Sequence, residues 1–476
     1  MGLSTSPKKA LGVFSLAMIT AGSVDSIRNL PATALFGSSL IFFFLLGAIF
    51  FLIPSALVSA ELASTSCDHG GVYSWVKNAF GLRTGFLAIW FQWIENVIWY
   101  PTILSFVAGT IGYLLAPQLA ESKIFLITII LASFWGMTII NLFGMKASAH
   151  LSNFCAIAGL LVPMSLIIGL GAVWVFSGET LQVHLASKHI IPHIAHGGLW
   201  VSLTGIMLSF CGMEIATVHA QDVRNPQKAY PRAMLIASLI ILITLLCGSL
   251  AIAIVLPAAK ISLVSGIMQA FQAFFVSYHM QWVLPLIAVM LVIGGIGSVN
   301  NWIIAPTRGL ALAIKDNNIS VRMSRENRFG APAFLLVSQA VISSVISLVF
   351  LMMPSVNGSY WLLTVLASQL YMMMYLLMFA SGIRLRYKKT AKQPGFTIPG
   401  GNWGMWLIAS MGLIGTTITF VVGFIPPDNI NVGGAWHYEV LLIIGLVVMS
   451  APPFIMYAAS KRKARRQAIT VEQALS

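Results

Sequence analysis

Twelve long apolar runs leave this chain little room to be anything but a bundle of membrane-crossing helices. They are Leu11–Leu35, Leu40–Leu62, Phe86–Leu115, Ile124–Phe143, Leu151–Phe176, Leu199–Val218, Ala233–Leu256, Val283–Ile314, Ala333–Met353, Trp361–Ile383, Trp406–Ile425 and Tyr438–Ala458. About 20 predominantly apolar residues cross the hydrocarbon core of a bilayer as a helix, and each run meets that length. The expected fold is therefore all-α, a polytopic membrane protein with 12 transmembrane helices. Only 8% of the residues are charged, against roughly 25% in soluble domains. With a mean hydropathy of +0.89, no segment is left for a soluble catalytic domain.

A net charge of +14 raises the possibility of a nucleic-acid partner, which the placement of the charges argues against. With the N-terminus inside, only Lys123, Lys188 and Lys260 fall on the outer side, and Arg28 and Arg308 fall within runs. The other 22 of the 27 Lys and Arg lie on the inner side, loop after loop. By the positive-inside rule both termini are expected to be cytoplasmic, in a plasma membrane such as the bacterial inner membrane. The basic cluster Lys461–Arg466 reads either as a site for anionic lipid or as a topology anchor. The first run is too long for the apolar part of a cleavable signal. The outer loops are short, Ser177–Gly198 being the longest, so no folded receptor domain is expected outside. No GxxxxGK[ST] loop exists for an ATPase. Cys67, Cys155, Cys211 and Cys247 lack paired spacing, so neither disulfides nor a thiolate metal site is indicated.

Function should reside in the ionisable residues inside the runs, because each costs about 2.5–3.5 kcal/mol or more at mid-bilayer. Six qualify: Asp25, Arg28, Glu61, Glu95, Glu214 and Arg308. Around the first two, Gly22, Ser23, Asp25, Ser26, Asn29 and Pro31 crowd into ten residues and make a poor continuous helix. A break near Ala21–Ser26 is predicted, lining a protein-buried cavity. A half-helix starting near Asp25 would offer its free N–H groups to a carboxylate. Asp25 either caps that half-helix and pairs with Arg28 three residues on, or binds an amino group directly.

The sixth run repeats the theme five runs later, with Gly205 and Gly212 beside Glu214. Broken helices at corresponding positions of two halves point to an inverted-repeat transporter site at the midplane. In the third run Gln92, Glu95, Asn96 and Trp99 share one helix face, which should meet a wet path or form a hydrogen-bonded seam with other helices. Glu61 and Arg308 lie near the inner ends of their runs, where snorkelling or an inner-mouth ion pair is expected. Three loop histidines, His189, His193 and His196, have helical spacing, but Pro192 breaks it and no acid or Cys completes a metal-ligand set. Met372–Met374 and Met378 read as packing.

These residues also sit in segments of a known kind: P-x6-E-L-A at Pro54 to Ala63, GGVYSWVKNAFG at Gly70–Gly81, SFCGMEIATVHAQDVRNPQKAYPRAM at Ser209–Met234, WIIAPTRG at Trp302–Gly309, FTIPGG at Phe396–Gly401 and GFIPPDNI at Gly423–Ile430. In this order they resemble the amino acid–polyamine–organocation transporters, and within them the glutamate:GABA antiporter branch. The resemblance implies a five-plus-five inverted-repeat core plus two C-terminal helices. The first repeat would span residues 11–176, the second 199–383, the extra pair 403–458 and a basic cytoplasmic tail 459–476. It implies alternating access around a substrate held between the broken first and sixth helices, with Val24–Asn29, Gly212, Glu214 and Trp302 at the site. The branch has no acid matching Asp25 and no arginine matching Arg28, and it carries an acid where this chain has Ser298; Glu95 is additional. The chain also stops soon after its last run, leaving no long tail to plug the inner mouth.

The expected function is thus secondary transport of small-molecule amino acids, by exchange or by proton-coupled uptake. Proton coupling would use Glu214 or Glu95 as the carrier, since burial disfavours the charged carboxylate. A sensor that binds without cycling is a third reading. An enzyme would need a nucleophile–base or metal constellation, and His219 has no evident partner for one. No cofactor and no metal are expected. For Glu214 three roles stay open: facing the substrate's ammonium, holding a proton in the empty site, or stabilising the helix break. The oligomeric state is not legible.

Overall fold

The computed structural model describes residues 12–65, 71–143, 157–183, 197–215, 225–388 and 395–460, with residues 155, 190, 191 and 462. The loop histidines, His219, the N-terminal lysines and most of the basic C-terminal cluster lie outside these. Every regular element among the described residues is helical. Numbered by the run that forms them, the helices are α1 (Val13–Val24), α2 (Gly37–Thr65), α3 (Leu82–Leu115), α4 (Lys123–Leu142), α5 (Ala158–Phe176), α6 (Ser202–Ser209), α7 (Pro226–Val255), α8 (Leu284–Asp316), α9 (Ala333–Met352), α10 (Val356–Tyr387), α11 (Gly401–Val422) and α12 (Ala435–Ser460).

Ten of the twelve are long and apolar enough to cross a membrane; α1 and α6 are not. These two belong to the runs rich in glycine and polar residues, where breaks were predicted, and the ten-versus-twelve difference is those breaks. The amide of Asp25 closes the last turn of α1 on Ala21 O, Asp25 and Ser26 are extended, and a 3-10 turn at Ile27–Asn29 leads into the short helix Leu30–Ala34. In the sixth run α6 stops at Ser209 and gives way to turns through Ile215.

Burial sorts the long helices. In their most apolar stretches α10 is 83% and α3 is 78% buried, against 28% for α5 and 11% for α12. The central posts are therefore α3 and α10, which pack on each other, with α8 against the other side of α3. The outer helices spend their Leu, Ile and Val on the lipid side: Ile443, Ile444, Val447 and Val448 of α12 are all exposed. Met372, Met374 and Met378 are fully buried on α10, which makes them packing as expected. Helices α5 and α8 touch backbone to backbone, since a Cβ on Gly159 would lie 2.1 Å from Gly294 Cα. Small residues permit such close approach where lipid offers no hydrophobic drive to associate.

Two ties close the end of the bundle where α2, α8 and α10 finish. Glu61 and Arg386 form an ion pair with side chains only 6% and 8% exposed. Glu61 Oε2 also accepts from the Ile398 amide (2.7 Å), and Arg386 donates to the carbonyls of Ile398 (3.1 Å) and Gly401 (2.8 Å). Lys77 and the Tyr73 hydroxyl, both on the helix Gly71–Phe80, meet Asp316 at 3.1 and 2.9 Å. Burial, and then the neighbouring Asp316 carboxylate, pushes the Tyr73 phenol above its ordinary range. Of the two alternatives for Glu61, the structure shows an ion pair, with Arg386 as its partner. Arg308 forms no ion pair among the described residues; it is exposed and donates to Gly330 O (3.2 Å).

Candidate functional site

The two breaks meet α3, α8 and α10 around a cavity of about 50 Å³. From the first break come Ser23, Val24, Arg28 and Asn29; from α3, Glu95, Asn96 and Trp99; from the sixth run, Leu208 and Cys211; and from α8 and α10, Trp302 and Tyr371. A small-molecule site ordinarily measures roughly 300 Å³ or more, so this one is too small for an amino acid as it stands and holds at most a few waters.

Arg28 forms one end of the cavity and is 2% exposed. Its Nη1 donates to Thr102 Oγ1 (2.9 Å) on α3 and to the Tyr360 hydroxyl (3.1 Å) on α10, and its guanidinium lies over the Trp99 ring at 5.2 Å. Its Nε is buried without a hydrogen-bond partner. Glu95, one turn before Trp99, is 3% exposed; among the described residues its only donor is the Asn96 amide (3.1 Å). Arg28 and Glu95 are not within the 4.0 Å of an ion pair. Trp99 and Trp302 face each other across the cavity wall with ring centroids 6.0 Å apart.

Glu214 lies deeper and does not line the cavity, whereas Tyr371, which it holds, does. Gln92 Nε2 (3.1 Å) and the Tyr371 hydroxyl (2.7 Å) donate to its Oε1, and the Tyr375 hydroxyl donates to Oε2. The Tyr375 oxygen in turn accepts the Gly212 N–H (2.8 Å). One carboxylate therefore ties the broken sixth run to α3 and α10.

Of the sequence-predicted binding residues, the structure brings Ser23, Glu95 and Trp302 to the cavity, and adds Arg28, which was expected only as an ion-pair or gating residue. Gly212 stands beside it: a Cβ there would meet Val24 Cγ2 at 3.3 Å and Trp302 at 3.8 Å. Gly22 is exposed, Ser26 is half-buried, and neither lines the cavity. Asp25 requires a correction. It neither caps the following turn nor pairs with Arg28; its Oδ2 accepts from Thr244 Oγ1 of α7 (2.7 Å), and its Oδ1 is buried without a partner. The i, i+3 pairing assumed a helix, but the intervening backbone is extended and then 3-10, which turns the two side chains apart. The α3 stripe serves both of its expected uses, Gln92 in the seam to Glu214 and the rest on the cavity.

Tyr360, Tyr371 and Tyr375 were missed. Tyrosine in membrane helices favours the interfaces, so three of them spaced through the most buried helix were a signal that the methionine run obscured. Gly212 sits at φ +110°, a conformation essentially closed to residues with a Cβ and worth about 1–3 kcal/mol of strain. Gly212→Ala is expected to lower thermal stability by that order and to depress transport; a wild-type melting curve would show that the sixth-run break does not depend on this angle.

The amino acid permease family matches residues 11–448. The chain is 44% identical over 448 residues to an uncharacterized transporter of Legionella pneumophila, covering 94% of this chain and 96% of that protein. It is 28% identical over 455 residues to a glutamate/gamma-aminobutyrate antiporter of Lactococcus lactis, covering 94% and 90%. It is also 22% identical over 424 residues to a probable agmatine/putrescine antiporter of the same species, covering 88% and 89%. A bundle of membrane-length helices around two broken ones agrees with that match, and the chain belongs to the amino acid permease family.

Proposed function

We propose that this protein is a secondary amino acid transporter of the bacterial plasma membrane that exchanges amino acids by alternating access, as an antiporter of the glutamate/γ-aminobutyrate kind. The observation that carries the reading is the small cavity where both helix breaks converge, lined by the buried Arg28 and Glu95 side chains. A cavity of about 50 Å³ must open to load an amino acid and close to carry it. In this reading residues 11–176 and 199–383 are the two inverted repeats, and α1, α2, α6 and α7 rock against the rest. The similarity to antiporters supports exchange over uptake. Membrane lipids surround the outer helices, anionic ones at the basic tail, and protons are a coupled species only if exchange proves to depend on a pH gradient.

Counterflow tests the reading directly. Liposomes preloaded with unlabelled amino acid should accumulate the labelled one, and empty liposomes should not. Accumulation in empty liposomes driven by a pH gradient would establish symport instead, and binding without counterflow would establish a sensor. Orientation is tested separately: with both termini cytoplasmic, a cysteine at Lys388 should be shielded from an impermeant reagent added to intact cells, and one at Asn431 should react. The opposite labelling would invert the topology.

A further inference from the structure

We propose that the cavity selects net-neutral zwitterions, seating the carboxylate on Arg28 and the ammonium on Glu95, and that Arg28 excludes diamines. This rests on the transport reading for its biology but not for its chemistry. Arg28 is 2% exposed, lines the cavity, and keeps a buried Nε without a partner. An unpaired buried donor on a charged group is costly to maintain, and a guanidinium fork matches a carboxylate in two-point geometry. Its present partners, Thr102 and Tyr360, are neutral hydroxyls that orient it without cancelling its charge. Glu95 lines the same cavity and, among the described residues, has one amide donor and no cation within ion-pair distance. The other acids nearby do not line the cavity: Glu214 is held by Gln92, Tyr371 and Tyr375, and Asp25 turns its Oδ2 to Thr244 on α7. The groups facing the substrate are thus one positive and one negative, held apart.

A ligand with one carboxylate and one ammonium completes both. A diamine such as putrescine places a second cation beside Arg28, in a buried site where like charges repel strongly, and glutamate fits as a net-neutral species only with its side-chain carboxyl protonated. The relatives divide along this line, between amino acid and diamine substrates, and the charges place this chain with the first.

The test is a binding panel on the purified full-length protein, using γ-aminobutyrate, the common amino acids and putrescine, read as ligand-induced thermal shifts and competition. Wild type should prefer neutral zwitterions to putrescine by at least tenfold. Arg28→Met, which keeps the apolar stem, should lose zwitterion affinity at least tenfold and move the preference toward putrescine and lysine. Glu95→Gln should move it the opposite way, toward glutamate. Arg28→Lys, which keeps the charge and loses the fork, covers the case in which the methionine variant does not fold; it should still exclude putrescine while binding zwitterions more weakly. A wild type that prefers putrescine, or binds no zwitterion, overturns the proposal, as do variants whose selectivity stays put. Wild-type counterflow with unmoved selectivity in the variants would sink this assignment and leave transport standing. Shifted selectivity without counterflow would do the reverse.

Discussion

Arg386→Met is expected to destabilise the folded protein by about 3–5 kcal/mol, because it leaves the Glu61 carboxylate buried without its cation. Both side chains are under a tenth exposed, so solvent screening offers little relief, and 0.5 M salt should leave the wild-type pair intact. Glu61→Gln in the same background should recover part of the loss, since it removes the stranded charge. Recovery stays incomplete because Arg386 also satisfies the carbonyls of Ile398 and Gly401. Melting of the detergent-purified single and double variants measures this; additive losses would show that the two residues are not coupled. The pair also bridges α2 to α10. If α2 moves against α10 during transport, the pair must break in each cycle, and its loss should shift the population toward the state open at that end.

What the sequence disclosed depended on the range of the interaction. The helices and the two breaks were legible because their causes are local: apolar length for the spans, and Gly, Ser, Asp and Pro in quick succession for the first break. Glu61 reads from sequence as a snorkelling or ion-pair residue near the end of its run, yet its partner Arg386 stands 325 positions away, and no local pattern links them. Arg308 carries the same pair of alternatives in the sequence and ends on a backbone carbonyl, that of Gly330.

The site divides along the same line. Glu95, Asn96 and Trp99 could be placed together because a regular helix carries them at i, i+1 and i+4 on one side of α3. The Asp25–Arg28 pairing applied helical spacing across a stretch that the same composition had marked as non-helical, and there the spacing has no meaning. Thr102, Tyr360 and Thr244, which settle where those two side chains go, come from α3, α10 and α7. An arginine in an unwound segment chooses its neighbours by tertiary packing.

Glu214→Gln should damage folding and turnover strongly while leaving substrate affinity nearly unchanged. The wild-type carboxylate accepts from three side-chain donors, Gln92, Tyr371 and Tyr375, and an ionised carboxylate is acceptor-only. A glutamine amide replaces one acceptor oxygen by an NH2 group, which then confronts at least one O–H or N–H already pointing at it. Tyr375 cannot simply turn round, because its oxygen accepts the Gly212 amide. Each charged hydrogen bond weakened or lost is worth about 1.5–3 kcal/mol, and the loss falls on the junction that holds the broken sixth run to α3 and α10. Tyr375→Phe should reproduce much of the effect, since it removes both the donor to Glu214 and the acceptor for Gly212. Affinity should hold because Glu214 does not line the cavity and Tyr371 does. Thermal melting, turnover per folded molecule and ligand-binding constants measured on the same preparations separate these terms. A fall in affinity by tenfold or more at wild-type stability would mean that Glu214 meets the substrate's ammonium directly rather than tying the sixth run to α3 and α10.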